Sequence, residues 1–182
     1  MTQPDKTALA VTGFWREAGR DAWFSKSDAF DDEFRSRFLD LHYRAARREL
    51  DDWIAHPEST LALMILLDQF PRNCFRGTGH MFATDPLARH FAVKAIEAGH
   101  DLAVETEVRV FFYLPFEHSE DLADQERSVE LHQANAVEEL EYAVGHRDII
   151  ARFGRFPHRN RALGRETTPE EQAFLDGGGF AG

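Results

Sequence analysis

Apolar residues recur at helical spacing along nearly the whole chain, and this pattern limits the folds that the sequence can adopt. The clearest example is the stripe Phe30, Phe34, Phe38, Leu41 and Ala45. Alternation of apolar and polar residues, which would indicate strands, is nearly absent from the sequence. Proline and glycine divide the helical runs into segments with short connections. The sequence therefore predicts an all-α protein.

Capping residues place the ends of these helices. The expected helices lie at about 7–19, 28–56, 61–70, 85–99, 105–114, 119–153 and 168–176. Ser27 or Asp28 is the expected N-cap of the second, and the nearly uniformly apolar 61–70 helix is expected at the centre. In the 119–153 helix, the expected inward positions are Leu122, Val129, Val137, Leu140 and Val144. A capping box at Thr168 and Glu171 opens the last helix.

The chain length of 182 residues suits one domain, which we expect to span 1–182 with 177–182 as a flexible tail. Short connections predict antiparallel helical hairpins, arranged either as a compact bundle or as a superhelical stack. No 34-residue repeat signature is present in the sequence. The pattern alone leaves the choice between these arrangements open.

Charge and cysteine content exclude several classes of partner. The formal charge of −11 repels phosphate backbones, so we expect no nucleic-acid partner. The longest apolar run, 61–67, stops at Asp68 and is far shorter than the roughly 20 residues of a membrane span, so no membrane partner is expected. The single cysteine, Cys74, and the lack of a signal-peptide pattern favour a reducing cytoplasm.

Three similar segments combine a large apolar residue, a proline and several polar residues. They read FPRN at 70–73, LPFEH at 114–118 and FPHRN at 156–160, and we call them the elbows. We expect each proline to end a helix and to fix the polar residues that follow it. An arginine held in this way can bind a carboxylate or phosphate through two hydrogen bonds. The alternative is that Arg72 and Arg159 pair with protein carboxylates and join helices.

A basic segment covers the last elbow. It carries Arg152, Arg155, Arg159, Arg161 and Arg165 without an acidic residue, so its charge is +5 in a chain of net charge −11. One role for this segment is an anion site. The other, which we favour, is docking onto the acidic remainder of the same protein.

Histidine is the expected acid–base group. His118 lies between Glu117 and Glu120, an arrangement expected to raise its pKa and suited to proton transfer. The nine histidines show no paired metal-ligand spacing. Glu97 and His100 give a single Glu-x-x-His match, but a helix-ending glycine lies between them. Neither a metal nor another cofactor is therefore expected. A lone Cys74 is read as a small buried apolar residue.

Taken together, these motifs resemble one known family. The segments LLDQFPRN (66–73), FATD (82–85), LPFEHSE (114–120), DQ (124–125) and RFGRFPHRN (152–160) carry the resemblance. They are similar to domain-of-unknown-function family 924, a bacterial family with related plant sequences, over about 14–175. The resemblance implies an all-α, tetratricopeptide-like fold of helical hairpins. It implies no reaction, substrate or catalytic residue.

Two functional hypotheses follow from different classes. The first is a binding module for an anionic small molecule or peptide, with a groove lined by Arg72, Asn73, Glu117, His118, Arg155, His158, Arg159 and Asn160. The second is a metal-independent hydrolase or lyase. Its candidate acid or base is His118 or His158, its orienting carboxylate Glu117 or Asp68, and its anion clamp Arg72 or Arg159. A purely structural ion-pair network and a homodimer both stay open.

Overall fold

A computed structural model describes residues 3–182, and that part of the chain is built from helices and helical turns without strands. The all-α prediction is confirmed. The helices are α1 (Lys6–Trp23), α2 (Asp28–Ala46), α3 (Pro57–Met64), α4 (Phe70–Cys74), α5 (Asp85–Glu97), α6 (Thr106–Arg109), α7 (Leu114–Glu117), α8 (Leu122–Asn135), α9 (Leu140–Phe153) and α10 (Pro169–Asp176). Short 3₁₀ turns lie at Asp51–Ala55, Gly79–Phe82, Asp101–Ala103, Val110–Phe112, Val137–Glu139 and Pro157–Arg159.

The centre of the fold is the continuous helical stretch that contains α3 and α4. A π turn at Ile65–Gln69 joins them, and every residue from 59 to 71 is buried. α1, α2 and α5 pack against this stretch, and α8 and α9 pack against each other as a hairpin beside α7. The expected central helix is therefore confirmed, and it extends at both ends. The tetratricopeptide-like arrangement and the single-domain division stay predictions.

Several capping predictions agree with the structure. Ser27 caps α2, and Thr168 and Glu171 form the reciprocal capping box of α10. Gly19, the expected end of the first helix, has a left-handed φ of 75° and an extended ψ of 171°, which interrupts α1. Gly154 ends α9 in the left-handed conformation, as expected for a C-terminal glycine.

The long second helix was predicted to continue to residue 56, and this was wrong. α2 ends at Ala46, and Arg48 adopts a left-handed φ of 65°. The apolar stripe drifts around the helix beyond Ala45, so a straight helix would turn the following apolar residues away from the core. The break reorients the chain, and Leu50 and Trp53 become buried.

The expected 119–153 helix is likewise two helices, and two of its five predicted inward positions were wrong, whereas Val129, Leu140 and Val144 are half-buried. Leu122 and Val137 are 45% and 65% exposed. The buried face of α8 consists of Asp124, Gln125, Ser128, Leu131 and His132. Four of these five residues are polar, and each of the four finds a hydrogen-bond partner within the protein. Arg89, for example, donates to both Asp124 oxygens at 2.6 and 2.5 Å. The expected 105–114 helix is also divided, into α6 and a 3₁₀ turn.

The basic segment docks onto acidic side chains of the same chain. Arg152 pairs with Glu170, Arg155 with Glu171, Arg159 with Asp85 and Arg165 with Glu120. This is the arrangement that the sequence favoured.

None of the helices within residues 3–182 combines the length and the apolar character needed to cross a bilayer.

Candidate functional site

The first elbow lies in a helix rather than at its end, which corrects the expected role of Pro71. The π turn inserts one residue into the helix, and Pro71 follows within the first turn of α4. Two carbonyl groups near the turn accept hydrogen bonds from side chains. His42 Nδ1 donates to Leu66 O at 2.9 Å, and Thr84 Oγ1 donates to Leu67 O at 2.5 Å. The helix therefore tolerates the proline and keeps Arg72 in a fixed direction.

The other two prolines begin helical turns. Pro115 lies in the first turn of α7, and Pro157 opens a 3₁₀ turn. The expectation that each elbow proline ends a helix was therefore wrong. Proline lacks a backbone N–H, but the first turn of a helix does not need one. The fixed placement of the polar residues after each proline is found nonetheless.

A charged cluster forms where the elbows meet, and we define it as Asp68, Arg72, Asp85, His118 and Arg159. Asp68, in the π turn, lies 2.8 Å from His118 Nδ1 through Oδ1, and 3.2 Å from Arg72 Nη1. Asp68 is only 1% exposed, and 13% of the His118 side chain remains accessible. The first and second elbows are thus joined through a buried carboxylate.

Asp85 joins the first elbow to the third. It accepts two hydrogen bonds from Arg72, at 2.9 and 3.0 Å, and one from Arg159 Nη1 at 3.3 Å. The Arg159 guanidinium also lies 4.6 Å from the ring centre of Phe82 and 4.4 Å from that of Phe156. The buried Arg159 and the half-buried Arg72 therefore share the Asp85 carboxylate in an aromatic surrounding.

The protonation states of the Asp68–His118 pair follow from their surroundings. Burial alone would raise the pKa of Asp68, but Arg72 and His118 outweigh it and lower this pKa to about 2. Burial and then Arg72 lower the pKa of His118 to about 4, which is opposite to the expected rise. Near neutral pH the carboxylate is ionised and the imidazole is neutral, so Nδ1–H donates to Asp68 and Nε2 is left as a hydrogen-bond acceptor.

Glu117 lies in a second, adjoining group with His132 and His146. Its Oε2 is 3.5 Å from His132 Nε2, and its Oε1 is 3.3 Å from His146 Nδ1. Burial and then Asp68 raise the pKa of Glu117 to about 8, so this carboxyl is protonated at neutral pH. His132 Nδ1 donates to Ser128 O at 2.8 Å, which leaves its Nε2 facing the protonated carboxyl. Glu117 is therefore a neutral carboxyl rather than an anion.

Arg159 and His158 carry buried polar atoms without partners. Within residues 3–182, neither Arg159 Nε nor His158 Nδ1 has a hydrogen-bond partner. Burial and then the neighbouring Arg72 lower the pKa of Arg159 to about 10, and burial and then Arg159 lower the pKa of His158 to about 3. Arg159 is 94% buried, with a relative exposure of 6%. A cation in this position gains from any anion that reaches it.

Five of the sequence-predicted binding residues come together, and three do not. Arg72, Glu117, His118, His158 and Arg159 lie in or beside the charged cluster. Asn73 donates instead to Asp31 at 2.7 Å. Arg155 and Asn160 both bond Glu171 at the start of α10. These three therefore support the fold around the site.

Asp85, His132 and His146 were not among the predicted site residues. Asp85 lies in the FATD motif that carries the family resemblance, but no site role was predicted for it. The two histidines had no spacing that linked them to the elbows. In the described part of the chain, no three His, Cys, Asp or Glu side chains are grouped so that they could hold a metal ion.

Comparisons with known proteins agree with this fold. The family model described as "Bacterial protein of unknown function (DUF924)" matches residues 11–179. A solved structure, the protein of unknown function ATU0120 from Agrobacterium tumefaciens, is 60% identical, with a TM-score of 0.91 over 93% of this chain and 97% of that one. The search of curated proteins found no match. The chain belongs to the DUF924 family.

Proposed function

We propose that this protein binds an anionic small molecule at the charged cluster, with Arg159 and Arg72 as the cationic groups. The observation that carries the proposal is the buried Arg159, which shares a single carboxylate with Arg72 and has an unpartnered Nε. A buried donor without a partner is unfavourable, and a bound carboxylate or phosphate supplies the missing acceptor. The bound anion also offsets the repulsion between the two guanidinium groups.

The competing interpretation is that the cluster only joins helices. An ion pair that serves stability alone gains from full pairing, as in the bidentate contact between Arg155 and Glu171. Arg159 differs, since it makes one hydrogen bond of 3.3 Å to a carboxylate already bound by Arg72. The incomplete pairing favours binding over a purely structural role.

The test compares two arginines of the same basic segment. Arg159→Gln removes the proposed anion contact, and Arg155→Gln is the matched control outside the cluster. Thermal unfolding is followed with inorganic phosphate, pyrophosphate, acetate, benzoate and dicarboxylates. At a concentration about 100-fold above Kd, an anion stabilises the folded state by about 2.7 kcal/mol, or roughly 5–10 °C for a domain of this size.

We expect one class of these anions to stabilise the wild type and Arg155→Gln, but not a folded Arg159→Gln variant. Equal stabilisation of all three proteins would place the anion elsewhere. The absence of stabilisation by every anion in the panel would contradict the proposal. Circular dichroism establishes that the Arg159 variant is folded.

The Asp68–His118 pair favours a second candidate function, a metal-independent hydrolase or lyase. Asp68 holds the neutral His118 through Nδ1, which leaves Nε2 to take a proton from water or from a substrate carbon. Arg72 and Arg159 would stabilise the negative charge that develops. For an anion that binds, product formation is followed by NMR.

We expect His118→Gln and Asp68→Asn to retain binding and to lose at least about a hundredfold in rate. If the wild type binds an anion without changing it chemically, the binding function stands and turnover of that compound is excluded.

A further inference from the structure

The segment 177–182, which we call the tail, turns back from α10 towards the charged cluster. Three consecutive glycines begin it, and Gly178 has a left-handed φ of 81°. At Gly179 a Cβ atom would lie 2.5 Å from Phe174 Cζ and 2.6 Å from Phe174 O. Gly179 N donates to that same carbonyl at 2.9 Å. The path of the tail therefore depends on the absence of side chains at this turn.

The tail places the Phe180 ring among aromatic residues of the site. Its centre is 4.6 Å from that of His146 and 5.1 Å from that of His158, both in edge-on geometry. Phe156 lies behind the two histidines, 5.4 Å and 5.5 Å from their ring centres. We call His146, Phe156 and His158 the aromatic slot.

The aromatic slot is continuous with the charged cluster. Phe156 contacts both histidines of the slot and also the Arg159 guanidinium at 4.4 Å. His146 lies beside His118, with 6.4 Å between ring centres. A planar group in the slot would therefore be about one side chain away from the cation that the proposed function uses.

Phe180 is held in the slot weakly. Its residue is 40% exposed and borders a surface groove of about 300 Å³ that His146 also lines. Within the described residues, 180–182 form no hydrogen bond with the rest of the chain. Segments held by few buried contacts and no hydrogen bonds open at low free energy. Phe180 can thus leave without disturbing the helices.

We propose that the aromatic slot is a subsite for the ring of a small aromatic anion, and that Phe180 occupies it until such a ligand enters. This inference rests on the proposed anion site, because the ligand's charged group is assigned to Arg159. The ring would take over the edge-on contacts with His146 and His158. The tail then acts as a competitor tethered to the protein.

The test uses benzoate, acetate and the neutral probe benzyl alcohol, with affinities measured by NMR titration. Phe180→Ala empties the slot, and Gly179→Ala displaces the tail through the blocked Cβ position without removing the ring. Phe24→Ala is the matched control, since Phe24 is a similarly exposed phenylalanine that contacts Trp23 and Phe111 instead. If Phe180 fills the slot in about nine of ten molecules, its removal tightens benzoate binding about tenfold.

We expect this gain for benzoate in both tail variants, little change for acetate, and no change in Phe24→Ala. Unchanged or weaker benzoate binding in Phe180→Ala would overturn the inference, because Phe180 would then be a wall of the site or irrelevant to it. Benzyl alcohol separates the two proposals. Binding of benzyl alcohol to Phe180→Ala, unaffected by Arg159→Gln, supports the slot even where the anion site fails. Benzoate and acetate binding that depends on Arg159 but not on the tail supports only the anion site.

Discussion

Replacing Glu117 by glutamine should stabilise the protein in a pH-dependent way. Glu117 is 4% exposed, and burial and Asp68 raise the pKa of its carboxyl to about 8. The folded protein therefore favours the protonated form more strongly than the unfolded chain does. The protonated Glu117 thus contributes to the free energy of unfolding. That contribution is complete below the unfolded pKa and is lost as the pH rises through the folded pKa. Glutamine has nearly the same shape and no charge to lose.

The size of the effect follows from the two pKa values. Between the ordinary glutamate pKa of 4.5, taken for the unfolded chain, and the folded pKa of about 8, each pH unit is equivalent to about 1.4 kcal/mol. The advantage of Glu117→Gln in the free energy of unfolding should therefore grow by about 2 kcal/mol by pH 6. It should level off near 5 kcal/mol above pH 8, as an upper limit.

Urea unfolding of both proteins from pH 4 to 9 measures this difference. Groups that titrate equally in the two proteins cancel on subtraction, and any change in the contacts with His132 or His146 adds an offset without that slope. Glu120→Gln is the control: partial burial alone would raise the pKa of Glu120, but hydrogen bonds from Arg165 and from the Phe156 backbone outweigh it and lower this pKa. Its variant should lose stability relative to the wild type as the pH rises. A flat difference for Glu117→Gln would refute the assigned protonation of Glu117.

Three further perturbations test the fold. Thr84→Val removes the donor to Leu67 O and should destabilise the protein by about 1–3 kcal/mol in urea unfolding, whereas Thr78→Val, at an exposed carbonyl contact, should change it by less than about 0.5 kcal/mol. Equal losses would contradict the role given to the buried carbonyl. Thr168→Ala breaks the capping box of α10 and should lower stability by about 1 kcal/mol, so an unchanged urea midpoint would count against the cap. Burial raises the pKa of the Cys74 thiol to about 12, so iodoacetamide should label Cys74 only after unfolding, and rapid labelling of the native protein would contradict its burial.

Local sequence signals predicted those features whose partners are close in the chain. The cap at Ser27 and the box at Thr168 and Glu171 involve residues within three positions of each other. The 61–70 helix is so uniformly apolar that only a central position could bury it. Such features follow from short-range geometry, which a single sequence records.

The buried face of α8 could not be read from the sequence because Asp124 and Gln125 find their partners outside the helix. Asp124 is buried against Arg89, 35 positions earlier, and Gln125 donates to the carbonyls of Glu117 and Ser119 at 2.6 and 2.7 Å. Hydrophobic periodicity assigns polar residues to the outside of a helix. A polar face whose residues each find a partner within the protein reverses that rule.

The candidate site was predictable in part. Asp68 was one of two candidate carboxylates and His118 one of two candidate acid–base groups, and the structure places these two side chains 2.8 Å apart although 50 positions separate them. Arg155 and Arg159 looked equivalent in sequence, four residues apart in the same basic run. Their difference arises from Asp85 and Glu171, which lie in other helices. Residue type identified the chemistry, but only the tertiary structure determined which arginine is incompletely paired.

The π turn makes the number of residues between α3 and α4 important for the site. One extra residue changes the angular phase of a helix by about 100°, so everything after Gln69 is rotated relative to α3. That rotation lets α3 present apolar residues to the core while Arg72 meets Asp85 and Asn73 meets Asp31. Deleting a single residue here would yield a more regular helix with Arg72 on the wrong side. The number of residues between Met64 and Phe70 is therefore as strict a requirement for the site as the identity of its side chains.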